Sequence, residues 1–364
     1  MSLKPRPGIL DVAPYVGGES KAAGVNRVIR LASNENPLGP SAQAIAAYEA
    51  EKDQLHRYPD GGATELRRAI AESESLEAAR IVCGAGSDEL IGLLVRAYAG
   101  PGDEVLYSEH GFLMYAINAK TAGATPVAAP EANLTADVDG LLARVTDRTR
   151  LLFIANPNNP TGSYLSESEL KRLHRGLPDH VLLVIDAAYA EYVTAPDYPQ
   201  AAALVEAADN IVMLRTFSKI HGLAALRLGW AYCPPAVVDV LNRVRGPFNV
   251  SQAAQAAGIA AVQDRDHVAR SVAHNSKWLA WFSAAAAKTG IEVLPSVGNF
   301  VLLRFPGGTA QAEAVLAATK RQGILLRAMA GYGLPDCLRV TIGTEDDMRA
   351  TAEALQEAMA EAVR

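Results

Sequence analysis

The chain has 364 residues, 49% of them hydrophobic and 20% charged, which is ordinary for a globular protein with a sizeable core and excludes global disorder. A formal net charge of −6, with no Lys/Arg block anywhere, argues against a partner recognised through nucleic-acid phosphates. No apolar run reaches the roughly 18 residues of a membrane span, so no membrane partner is expected. At about 150 residues per domain, the length predicts two domains or one large α/β unit with a satellite. The opening Met-Ser-Leu-Lys-Pro-Arg-Pro-Gly carries charge but no apolar stretch behind it, so no signal peptide is expected. Cys83, Cys233 and Cys337 are odd in number, far apart and without a CxxC pair, which points to reduced thiols in a cytoplasmic protein. His267 and His274 are two turns apart with no carboxylate motif beside them, so no metal is expected.

The first forty residues are rich in Pro, Gly and Asn, and residues 31–40 read as an ordered loop or arm. A helix is predicted from Ala42 to Leu55, then a turn at Tyr58 to Gly62, then a helix from Thr64 to Ser73 with Thr64 as N-cap. From there strands and helices alternate. Strands are predicted at 80–83, 103–107, 125–128, 150–155, 181–185 and 211–214, with helices at 88–99, 112–122, 139–143 and 166–175 between them. Ser166 followed by Glu169 has the spacing of a capping box. Strands apolar on both faces and separated by helices argue for a mainly parallel sheet covered on both sides. After Pro247 a long helix-forming stretch runs over 251–288. Strands near 291–294 and 299–304, a helix over 310–322, strands near 324–327 and 337–342, and a last helix over 346–363 describe a smaller α+β unit.

Open α/β sheets bind ligands beyond the carboxyl ends of their strands. Four segments fall there: Gly84 to Asp88, Asn156 to Gly162, Asp186 to Tyr189 and Arg215 to Lys219. A lone lysine is by default a solvated one. Lys219, however, follows an apolar strand inside a Thr/Ser cluster, and Arg227 comes eight residues later. An amine of lowered pKa attacks carbonyls, and hydroxyls with a guanidinium hold phosphate, the two anchors that pyridoxal phosphate requires. Asp186 is at its plainest a helix N-cap or turn residue, and functionally a carboxylate that keeps a pyridine nitrogen protonated. Tyr189 and Asn159 can both reach a ring oxygen. Gly84-Ala85-Gly86-Ser87-Asp88 lacks the third glycine of a dinucleotide fingerprint, yet suffices for a phosphate on a helix N-terminus. Phe112 can stack on a flat ring, although core packing is the usual use of one Phe.

Taken together, Asn158-Asn159-Pro160-Thr161-Gly162, then Asp186-x-x-Tyr189, then Thr216-x-Ser218-Lys219 and Arg227-x-Gly229, in this order and at these spacings, resemble the fold-type-I pyridoxal-phosphate aminotransferases. The resemblance covers nearly the whole chain. Ser33 to Gly39, Arg57-Tyr58-Pro59, Pro14-Tyr15 and Cys337 to Thr344 are similar to the histidinol-phosphate aminotransferase subgroup, within class II. Two departures stand out: Ala187 follows Asp186 where the family usually has an acidic residue, and Phe112 stands where other members carry Tyr.

The resemblance implies an α/β fold, the transferase fold type I, with a large domain around a mainly parallel seven-stranded sheet and a smaller α+β domain. It places residues 1–40 as an N-terminal arm belonging to the small domain, 41–250 as the large cofactor domain and 251–364 as the small C-terminal domain. Lys219 would be the Schiff-base lysine and proton shuttle, Asp186 the partner of the ring nitrogen, and Tyr189 the third catalytic residue, holding the ring oxygen with Asn159. Phe112 would stack on the ring. Gly86, Ser87, Asp88, Thr216, Ser218 and Arg227 would hold the cofactor phosphate, joined by Tyr58 from the other subunit of a homodimer. Arg339, helped by Arg327, would meet the anionic end of the substrate, and Tyr15 and Asn36 would close over it. The implied reaction takes L-histidinol phosphate and 2-oxoglutarate to imidazole-acetol phosphate and L-glutamate. An aromatic amino acid aminotransferase is the alternative; a threonine-phosphate decarboxylase and a non-catalytic relative come after it.

Overall fold

The computed structural model describes residues 3–6, 8–14, 17–21, 24–25 and 27–362. Its centre is a seven-stranded sheet built from β1 (Ile81–Gly84), β2 (Glu104–Ser108), β3 (Thr125–Ala129), β4 (Thr149–Ala155), β5 (Leu182–Asp186), β6 (Ile211–Thr216) and β7 (Gly229–Tyr232). The strand order is β1-β7-β6-β5-β4-β2-β3, and only β7 runs antiparallel to its neighbours. The inner strands are apolar on both faces because helices cover both. Alternate residues of each strand feed separate cores: Leu183, Ile185, Ile211 and Met213 pack on one side, Val184, Val212 and Leu214 on the other.

A four-stranded antiparallel sheet follows, of β8 (Glu292–Val293), β9 (Phe300–Arg304), β10 (Arg327–Ala328) and β11 (Cys337–Thr341). Its core holds Val301, Leu303, Leu338 and Val340 against helices Gly308–Arg321 and Glu345–Ala362. Ile29–Arg30 joins this unit by pairing in parallel with Ile324–Leu325.

Local chemistry shifts several expected boundaries. Thr64 is the first residue of its helix and not its cap; Asp60 accepts from Thr64 N at 2.7 Å and, in the turn before it, from Gly62 N at 2.8 Å. The expected 251–288 helical stretch breaks at Asp264, whose carboxylate caps a second helix by accepting from His267 N at 2.9 Å. The first of these helices, Gln252–Gln263, buries Ala254, Ala257 and Ala261 in the core of the large sheet. We therefore propose to divide the two units after Gln263 and not at 251. Ser166 does cap Glu167–Gly176, but the Glu169 carboxylate turns to Arg172 at 2.8 Å.

Candidate active site

The carboxyl ends of β4, β5 and β6 open into a cavity of about 340 Å³ that also reaches residues of the small unit. Lys219, Asp186, Tyr189, Asn159, Phe112, Ser87, Asp88, Thr216, Ser218, Arg227, Arg327 and Arg339 all line it. Asp186 ends β5, beside Ala155 of β4 and Leu214 of β6. Its Oδ2 accepts from Tyr115 Oη at 2.8 Å, while Oδ1 is buried with no hydrogen-bond partner. A buried carboxylate oxygen without a donor is costly, and the cost shows in the acid–base balance. Burial pushes the Asp186 pKa up to about 6 against the Tyr115 hydrogen bond. A cation brought to Oδ1 would reverse that.

Lys219 faces Asp186 across the cavity. Its Nζ donates to the Ser33 carbonyl at 3.2 Å and lies 5.6 Å from the centre of the Tyr189 ring. Burial, then the guanidinium of Arg339, lowers its pKa to about 8, so roughly a tenth of the amine is neutral at pH 7. Tyr189 Oη accepts from Asn34 Nδ2 at 2.9 Å, and burial holds its phenol above the ordinary range.

The far end of the cavity is built for an anion. Helix Ser87–Tyr98 starts at Gly86 with no side-chain cap, whereas Ser41, Ser166 and Ser251 cap their own helices. Its first N–H groups are therefore open, at the positive end of the helix dipole. Arg227, in a left-handed conformation at φ 51°, lays its guanidinium there and reaches Ser218 Oγ at 3.4 Å. Gly86 does not line the cavity itself; it makes room for that guanidinium. A Cβ on Gly86 would lie 2.4 Å from Arg227 Nη2, and its φ of 87° already disfavours a side chain. Gly86→Ala is expected to weaken cofactor retention about tenfold, measured by equilibrium dialysis of the cofactor. Unchanged retention would show that Arg227 does not need this space.

Other expected residues sit elsewhere. Tyr15 lies outside the described residues. Tyr58 does not line the cavity of its own chain: it is 84% exposed and stacks on Phe248 at 4.6 Å. Asn36 does not face the cavity either. Its Nδ2 donates to Ile220 O at 2.7 Å and Ser271 Oγ at 3.1 Å, and its Oδ1 accepts from Leu38 N, so it pins the arm beneath the lysine segment. The arm side chain that instead lines the cavity and bonds Tyr189 is Asn34, beside Ala32 and Ser33. Tyr115, which holds Asp186, and Tyr332, which lines the cavity from the small unit, are further contributors that the sequence reading passes over. Arg339 on β11 donates to Asn159 Oδ1 and, at 2.8 Å, to Ala32 O, joining both units and the arm at the cavity. Among the described residues no group of three His, Cys, Asp or Glu side chains is placed to hold a metal, and all three cysteines are free and buried.

A mainly parallel sheet with an amine, a carboxylate and an anion cradle at the carboxyl ends of its strands is the arrangement of a cofactor-dependent group-transfer enzyme. Residues 26–355 match the family model for aminotransferase class I and II, and the chain belongs to that family. It is 60% identical over 351 residues to histidinol-phosphate aminotransferase of Rhodospirillum centenum, covering 96% of this chain and 97% of that protein. Identity to the protein of the same name from Paramagnetospirillum magneticum is 58% over 354 residues, covering 97% of this chain and 98% of the other. The crystal structure of histidinol-phosphate aminotransferase from Sinorhizobium meliloti in complex with pyridoxal-5'-phosphate superposes with a TM-score of 0.91 at 28% identity, covering 100% of this chain and 99% of that one.

Proposed function

We propose that this chain is a pyridoxal-phosphate-dependent aminotransferase that converts L-histidinol phosphate and 2-oxoglutarate to imidazole-acetol phosphate and L-glutamate, a step of histidine biosynthesis. The observation that carries it is the pairing, in one cavity, of the Lys219 amine with the partnerless Oδ1 of buried Asp186. That oxygen calls for a cation, the open helix N-terminus with Arg227 calls for a dianion, and Phe112 offers a flat apolar face. Pyridoxal phosphate carries a group for each.

Bound there, the cofactor supplies an aldehyde to receive the amino group and a cationic ring that withdraws electrons from the substrate Cα. Asp186 keeps the ring nitrogen protonated, because a charge pair in a buried site favours both ionised forms. Tyr189 and Asn159 hold the ring oxygen, with Asn34 fixing the Tyr189 hydroxyl. Lys219 Nζ carries the Cα proton away, as a neutral amine does most readily. Arg339 and Arg327, from the small unit, take the phosphate of one substrate and the carboxylate of the other, two anions that suit the same bidentate guanidinium.

A homodimer in the cytoplasm completes the reading. Leu38, Ile45, Tyr48, Leu55, Tyr58 and Phe248 are large apolar side chains left exposed on this chain, and a second copy would cover such a surface. Tyr58 would then serve the neighbouring subunit's phosphate site. No helix among the described residues is long and apolar enough to cross a membrane.

The test is the absorption spectrum of the purified protein before and after L-histidinol phosphate, followed by relative kcat/KM for histidinol phosphate and phenylalanine. A cofactor band that shifts on addition, with histidinol phosphate preferred by at least about tenfold, is the expected result. A preference for phenylalanine would instead favour the aromatic aminotransferase, and release of CO₂ without a keto-acid acceptor would favour a decarboxylase.

A further inference from the structure

We propose that Glu131 is a positioning residue for the cofactor ring, one buried carboxylate that ties together the two loops carrying Phe112 and Asn159. The inference rests on the function proposed above. Glu131 starts the small hairpin formed by Glu131–Ala132 and Thr135–Ala136, beyond the end of β3. Its side chain is 2% exposed, so its charge must be satisfied inside the protein. Oε1 accepts from Ser108 Oγ at 2.5 Å and from His110 N at 3.1 Å, and Oε2 pairs with His110 Nδ1 at 2.8 Å. Three donors from Ser108 and His110 on one carboxylate hold the turn that begins at Ser108 and leads to Phe112 at the cavity.

The same turn then grips the second loop. The His110 carbonyl accepts from Asn158 Nδ2 at 3.2 Å, and that amide also donates to Thr161 Oγ1 at 2.9 Å. Thr161 Oγ1 meets Ser163 Oγ at 2.8 Å, and Ser163 Oγ donates to Leu134 O at 2.8 Å, back on the hairpin where the chain of bonds began. The circuit closes: hairpin, Phe112 loop, Asn159 turn, hairpin. Glu131, His110, Asn158 and Ser163 do not line the cavity, so their influence reaches it only through Phe112 and Asn159. The Glu131 hydrogen bond holds the His110 imidazole above its ordinary pKa, against burial, as expected for a pair designed to stay bonded.

A merely structural role and a positioning role separate in the spectrum. A shifted Asn159 loses its hold on the ring oxygen, and the pH midpoint of the bound cofactor's long-wavelength band then rises. In the loaded enzyme, Glu131→Ala is expected to raise that midpoint by about one pH unit, the size of one lost hydrogen bond to a charged group. Glu131→Gln, whose amide oxygen still accepts from Ser108 Oγ and His110 N, is expected to restore most of it. Should Glu131→Ala fail to fold, His110→Leu removes only the imidazole bond and is expected to move the midpoint in the same direction by less. A lowered Tm with an unmoved midpoint in the folded variants would overturn the inference. A wild-type enzyme without any titrating band would overturn the proposed function itself, and the inference with it.

Discussion

Replacing Lys219 with alanine is expected to cut turnover by about 10³-fold or more, because it removes in one step the amine that anchors the cofactor and the base that moves the Cα proton. The fold should survive. Lys219 lies at the cavity wall, and the burial that lowers its pKa to about 8 makes the protonated amine a burden in the cofactor-free protein. A depressed lysine contributes stability above its unfolded value of 10.5 and loses that contribution as pH falls through about 8. At neutral pH the alanine variant therefore escapes a cost that the wild type bears. Steady-state assays with circular dichroism check both halves. The same shift sets the pH dependence of cofactor capture: the rate at which cofactor-free protein takes up pyridoxal phosphate should climb with pH around a midpoint near 8. Normal turnover in Lys219→Ala would remove the basis of the mechanism.

Asp186→Asn should lower kcat by about 10²-fold or more, since a neutral amide cannot hold a cationic ring nitrogen. Its effect on stability runs the other way. In the cofactor-free protein, burial raises the Asp186 pKa from 3.8 to about 6. A raised carboxylate favours folding below the unfolded value and loses that advantage as pH rises through about 6. Over that window the loss amounts to roughly 3 kcal/mol. Asparagine does not titrate and can still accept from Tyr115. Cofactor-free Asp186→Asn should thus gain Tm relative to wild type between pH 4 and pH 7 while losing activity. Calorimetry at the two ends of that window measures the effect. A variant that loses Tm at neutral pH would place a cation beside Asp186 even without cofactor.

The parts of this site that a linear reading reaches are those at strand ends. Asp186 follows an apolar run directly, and Asn159 and Lys219 each come within a few residues of one, so the sheet rule alone brings them together. What it misses depends on partners from distant positions. Tyr115 looks like one more apolar residue of a helix, and its Oη gains meaning only because β5 ends 2.8 Å away. Asn34 and Asn36 are two residues apart in the same turn-rich arm, and no local preference says which one turns outward. Gly229–Tyr232 opens on the glycine of the Arg227-x-Gly229 pattern and is not expected as a strand, yet it fits between β1 and β6 because Gly229 lets the Gly86–Ser87 backbone pass. A Cβ there would lie 2.3 Å from Ser87 N. Gln252–Gln263 has the composition of the helix after it, and only the break at Asp264 separates their destinations.

The pairing of Ile29–Arg30 with Ile324–Leu325 has a consequence for biogenesis. Ribosomes release a chain from its amino end, so Ile29–Arg30 emerges well before its strand partner Ile324–Leu325. In the interval Asn36 can already hold the arm through Ile220 and Ser271, while the Ala32 carbonyl still lacks Arg339. The large sheet can mature on the nascent polypeptide, but the catalytic chamber acquires its roof only once the chain through Arg339 has emerged.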